Sequence, residues 1–129
     1  MTGAVVDDNR SIVDLYAELL AALGHVTYPF VDGETFLDAL PALFPDLVIL
    51  DRRMPRLDGL EVARRARLLR PELPILMISG SPVGAAGGEA VIDHFLAKPF
   101  TITQFTDAVT ALLALERPTA AGSPSGASG

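Results

Sequence analysis

Short apolar runs alternate with segments of helical spacing along this chain, and few folds satisfy that alternation. The runs are residues 3–6 (GAVV), 25–30 (HVTYPF), 47–50 (LVIL), 74–79 (PILMIS) and 92–97 (IDHFLA). The third and fourth are close to continuously apolar, as strands buried on both faces are. Ile12, Leu15, Tyr16, Leu19, Leu20 and Leu23 recur at helical spacing, and Gly24 closes that segment as a C-terminal cap. Residues 34–44 form a second helical stretch that Pro41 breaks or restarts. Residues 59–69 form an amphipathic third, with Leu60, Val62, Ala63, Ala66 and Leu69 inward and the arginines outward. Residues 103–115 form the last. The slot between the fourth and fifth runs holds GSPVGAAGGEA, and glycines at roughly 1 kcal/mol each against alanine predict a short or distorted fourth helix.

Strands alternating with helices predict an α/β chain: a doubly wound, five-stranded parallel sheet with helices on both faces. At 129 residues this is one domain, over 1–116, with the Pro/Gly/Ser-rich stretch 117–129 as a linker or disordered tail. The formal charge of −6 argues against nucleic-acid binding, which needs clustered positive charge. The lack of cysteine excludes disulfides and thiolate metal sites. Neither a signal peptide nor a membrane span is legible, so the expected compartment is the cytoplasm. His25 and His94 are too few and too far apart in sequence for a histidine metal site, and are expected at strand edges.

In such a sheet the active crevice lies beyond the C-terminal ends of the strands. Asp7 and Asp8 follow the first run, Asp51 the third and Lys98 the fifth, while the fourth ends on Ser79. Taken singly, the acid pair could cap the first helix, Ser79 could be a turn hydroxyl, and Lys98 a solvated strand end. Together on one edge they form a constellation. Carboxylates converging in one shallow site repel one another unless a cation is present. Mg²⁺ suits a few carboxylates plus water and shares phosphate oxygens readily. Asp51, at the centre of the sheet, is then placed as a nucleophile toward a phosphoryl group, with Lys98 and Ser79 beside the phosphoryl oxygens.

The stretches VVDDN (5–9), PDLVILDRRMPRLDG (45–59), MISG (77–80) and FLAKPF (95–100), in this order, resemble the receiver domain of two-component response regulators. The resemblance covers residues 3–115 and implies a (βα)5 flavodoxin-like sheet in the order 2-1-3-4-5. It implies that Asp51 accepts a phosphoryl group from a phosphohistidine on a sensor histidine kinase or histidine phosphotransfer protein. Asp7, Asp8 and Asp51 then hold Mg²⁺, with the backbone carbonyl of Arg53 as a further ligand. Ser79 is the switch hydroxyl, Phe95 the aromatic that turns inward with it, and Lys98 the conserved-type lysine before an expected cis proline. Phosphorylation would change the face of the fourth helix, fifth strand and last helix, read by a downstream protein effector. The module is thus a signalling domain that catalyses only its own phosphorylation and dephosphorylation. It could stand alone or be part of a longer chain such as a hybrid histidine kinase. Arg53, flanking the phosphoryl group, is expected to tune its lifetime.

A Mg²⁺-dependent aspartyl-phosphate phosphohydrolase is the alternative. That chemistry generally wants a second acid two residues after the nucleophile, where this chain has Arg53. A flavin carrier on the same fold would need a phosphate-cradling turn after the first strand, where Asp7 and Asp8 stand.

Overall fold

The computed structural model describes residues 1–80 and 91–114. Each predicted apolar run is a strand: β1 (Thr2–Val6), β2 (Val26–Phe30), β3 (Leu47–Asp51), β4 (Ile75–Ser79) and β5 (His94–Ala97). They pair in parallel in the order β2-β1-β3-β4-β5. β3 and β4 are buried at all their positions, which explains their unbroken apolar character. Side chains alternate across the sheet. Ala4, Val6, Val48, Leu50, Ile75 and Met77 pack with α2 (Gly33–Ala39) and α3 (Gly59–Leu69) on one face. Val5, Leu47, Ile49, Leu76 and Ile78 pack with α1 (Arg10–Ala22) and α4 (Ile102–Leu113) on the other.

The helix ends follow local chemistry. Asn9 caps α1, its side-chain oxygen accepting from the Ser11 N–H at 2.9 Å and the Ile12 N–H at 3.4 Å. Asp7 and Asp8 are therefore not the cap, and both are left for another use. Gly24, just beyond the helix, takes φ +89°, a left-handed conformation that costs glycine little. Asp32 caps α2, which stops at Ala39, and Pro41 lies in a 3-10 turn over Leu40–Ala42. Thr101 and Gln104 form a reciprocal capping box on α4.

Leu69 departs from the expected inward position and is 43% exposed. It is the last residue of α3. The glycine-rich stretch 81–90, where a short fourth helix is predicted, and the predicted tail at 117–129 lie outside the described residues. No helix among the described residues is long and apolar enough to cross a membrane.

Arg56 is the non-glycine residue with left-handed backbone among the described residues, at φ 70°. Its ion pair to Asp32, at 4.0 Å with Arg56 largely exposed, is too solvated to offset that cost. Arg56→Asn is therefore expected to raise stability by about 0.5–1 kcal/mol, since asparagine tolerates this region. Urea unfolding of the two proteins measures it.

Candidate functional site

Parallel register brings the strand ends together. Val6 lies beside Leu50, Asp51 beside Ile78, and Ser79 beside Ala97, so Asp7, Asp51, Ser79 and Lys98 meet on one edge. The Asp7 N–H donates to the Phe30 carbonyl at 3.1 Å, the Arg52 N–H to Ile78 at 2.9 Å, and the Lys98 N–H to Ser79 at 2.8 Å. These bonds extend the sheet past its last full pairs and hold the polar side chains on rigid backbone.

Asp7, Asp8 and Asp51 each offer an oxygen within 4.8 Å of the others. Asp7 and Asp51 are buried, at 3% and 8% exposure, whereas Asp8 is exposed and forms the open side. The Lys98 ammonium donates to Asp51 Oδ1 at 3.3 Å. The Asn9 N–H donates to Asp7 Oδ1 at 2.9 Å, so one loop residue both caps α1 and orients an acid.

Burial pushes the Asp7 carboxyl up to about 6, the Asn9 N–H opposes this, and the charge of Asp51 adds to it. Asp51 is also raised by burial, against the pull of Lys98. One lysine does not neutralise three converging carboxylates. The donor set is hard oxygen only, with an exposed side for water, which fits Mg²⁺.

A proton-linked penalty follows for the metal-free protein. A carboxyl raised on folding contributes stability below its unfolded pKa of 3.8 and loses it as pH rises through about 6. Asp32 and Glu61 are shifted the other way, so their contribution has the opposite sign, whereas Asp51, also raised by burial, adds to that of Asp7. In EDTA, unfolding free energy should fall by about 1–2 kcal/mol between pH 5 and 7.5. Added Mg²⁺ should restore it at the higher pH. A flat or rising profile in EDTA would mean that the carboxyl carries no burial penalty.

Ser79 is 1% exposed. Phe95 is half-buried against the α2–α3 face, beside Met77. Register and pleat put Ser79 and Phe95 on the same face of the sheet, two positions apart along neighbouring strands. The Lys98–Pro99 bond is cis, as the resemblance implies. Arg53, two residues after Asp51, is exposed. His25 and His94 both lie at the starts of strands, away from this edge.

Two residues near the site carry weight that sequence reading did not assign. Tyr16 counts as one apolar position of a helix in sequence, yet its buried phenol feels the charge of the acids. Burial first, then the charges of Asp7 and Asp51, push its phenol up. The signal was a tyrosine where an aliphatic residue would satisfy the same periodicity. Gly59 opens α3, and its N–H donates to the Arg52 carbonyl at 2.8 Å.

The family pattern for the response regulator receiver domain matches residues 4–110. Response regulator MprA of Mycolicibacterium vanbaalenii is 38% identical over 112 residues, which cover 84% of this chain and 48% of that protein. MprA of Mycobacterium avium is 36% identical over 117 residues, covering 88% and 51%. This chain thus spans about half the length of the curated relatives it matches. Among solved structures, response regulator TrrA of Thermotoga maritima in complex with Mg²⁺–BeF superposes at TM-score 0.81 and 28% identity. That match covers 86% of this chain and 97% of TrrA. Chemotaxis protein CheY4 of Vibrio cholerae gives 0.79 at 27% identity, covering 86% and 97%.

Proposed function

Because the chain belongs to the response regulator receiver domain family, we propose that it accepts a phosphoryl group on Asp51 and relays that event to a protein partner. The observation that carries this reading is the meeting of Asp7, Asp8 and Asp51 within 4.8 Å, with the Lys98 ammonium 3.3 Å from Asp51. Receiver domains bind Mg²⁺ at their acidic pocket, and here Asp7, Asp8, Asp51 and the Arg53 carbonyl would hold it. The ion would supply positive charge that offsets the converging carboxylates and the incoming phosphoryl group.

The chain's own residues do the rest. An Asp51 oxygen forms the new P–O bond as the N–P bond of a phosphohistidine breaks, and the imidazole nitrogen leaves with the electron pair. The product is an acyl phosphate. Lys98 exchanges its contact with the Asp51 carboxylate for one with a phosphoryl oxygen. Ser79 donates its hydroxyl to another, and Phe95, on the same face, moves into the space behind it. The donor is a sensor histidine kinase or a histidine phosphotransfer protein, and the readout is a downstream protein effector. Residues 1–116 are taken as the receiver unit and 117–129 as its tail.

Acetyl phosphate with Mg²⁺ tests the chemistry directly. Intact mass should increase by a single phosphoryl group only when Mg²⁺ is present, and neutral hydroxylamine should remove it, as it does an acyl phosphate. No addition, or a hydroxylamine-resistant one, would overturn the reading. The phosphohydrolase alternative predicts many turnovers per chain in place of one adduct, and the exposed Arg53 stands where its second acid would be. Arg53→Ala should change the decay rate of the adduct by more than about twofold, because its side chain controls water access at the mouth.

A further inference from the structure

Strand parity sends Asp7, Asp51 and Lys98 toward the face covered by α1 and α4, since Val5, Ile49 and Leu96, each two residues before them, all pack there. Tyr16, on α1, belongs to that packing and is 3% exposed. Its ring lies 5.2 Å from Phe105 on α4 and 6.1 Å from Phe100, and the last two rings are 6.0 Å apart. Phe100 comes two residues after Lys98, in the connection from β5 to α4. The three rings therefore tie α1, that connection and α4 into one unit.

The connection is otherwise fixed only at its ends among the described contacts. The Lys98 N–H donates to the Ser79 carbonyl at 2.8 Å, and the Thr101–Gln104 capping box holds the start of α4. Between those points Phe100 is the side chain that reaches the core. A lysine carries its charge on a flexible four-carbon stem, so its aim depends on how firmly the backbone below it is held.

We propose that Tyr16 is a positioning residue for Lys98: its ring, stacked on Phe105 and tilted against Phe100, sets where the Lys98 ammonium stands relative to Asp51. The inference rests on the phosphoryl-acceptor reading above. Leucine at position 16 would fill part of the volume but could not make ring contacts with both phenylalanines. Phenylalanine could. Lys98 serves the phosphoryl oxygens and not the metal, so loss of its aim touches one ligand and spares the other. A general loosening of the core would weaken both.

The test titrates Mg²⁺ alone, and Mg²⁺ with beryllofluoride, into the full chain by NMR. Tyr16→Leu and Phe100→Leu should each weaken beryllofluoride binding about tenfold while Mg²⁺ affinity stays within about twofold. Tyr16→Phe should match wild type for both ligands. In a Lys98→Ala background the leucine substitutions should add nothing further, because the group they aim is gone. Equal weakening of both ligands, or a full further loss without Lys98, would make Tyr16 ordinary core and overturn the proposal. Should Tyr16→Leu fail to fold, Phe100→Leu at its half-buried position supplies the same comparison. A wild type that binds Mg²⁺ but not beryllofluoride overturns the phosphoryl-acceptor reading, and this inference with it. A responsive wild type with equally responsive leucine variants overturns the inference alone.

Discussion

Asp51→Asn should accept no phosphoryl group from acetyl phosphate, a loss on the order of 10³-fold or more, without losing its fold. The amide keeps the shape of the carboxylate but not its nucleophilicity. Stability should not suffer, because the wild-type carboxyl is buried among two other acids and raised by that burial. Lys98 loses its 3.3 Å partner, yet its side chain is 38% exposed and remains solvated. Metal-free Asp51→Asn is therefore expected to unfold at or above the wild-type temperature. Wild type should gain about 2.7 kcal/mol from Mg²⁺ at a hundred times its dissociation constant, and the variant much less at the same concentration. Mass spectrometry reads the first half and thermal unfolding with and without Mg²⁺ reads the second. A metal-free variant markedly less stable than wild type would mean that Asp51 holds the fold together. Functional sites commonly carry such a stability cost.

Gly59→Ala should damage fold and site together. A Cβ at this position would lie 2.2 Å from the Asp51 carbonyl oxygen, 2.9 Å from Arg52 Cα and 3.0 Å from the Asp51 carbonyl carbon. All three are backbone atoms, so no side chain can swing aside. Either α3 moves outward or the end of β3 shifts. The first breaks the 2.8 Å bond from the Gly59 N–H to the Arg52 carbonyl and uncovers Leu60 and Val62. The second moves the Asp51 backbone. Overpacking of this kind costs about 1–3 kcal/mol, and a misplacement near 1 Å can cost about 10²-fold in rate. Urea unfolding and the rate of acetyl phosphate labelling measure the two effects. Labelling at the wild-type rate would show that the approach of α3 to β3 has slack. Gly33 makes a comparable approach to Val62, but the obstructing atom there is a side-chain methyl at 2.3 Å, which can rotate. Gly33→Ala should be the milder change.

Much of this was legible in the chain itself. The alternation of apolar runs and helical spacing requires a parallel sheet, because parallel strands need a crossover between them. The unbroken apolar stretch 47–50 placed β3 at the centre, since only a strand covered on both faces is apolar at every position. The polar residues at the strand ends were equally readable, because one rule says where the crevice of such a sheet lies. Helix ends were less so. Asp7 and Asp8, taken singly, could cap α1, yet Asn9 does so, and capping preference alone does not separate Asp from Asn. Leu69 satisfied the helical period and is still exposed at the last position of α3, because periodicity does not say what packs against a helix end.

What the sequence determined by itself was therefore the chain's local preferences and their order: strands, helices, and which chemical groups stand at the strand ends. The tertiary structure decided distances between groups far apart in sequence. It brings Lys98 within 3.3 Å of Asp51, Gly59 against the Asp51 backbone, and Tyr16 against both Phe100 and Phe105. The reason is physical. Hydrophobic pattern and turn chemistry act between neighbours along the chain, whereas sheet register and helix packing act between layers.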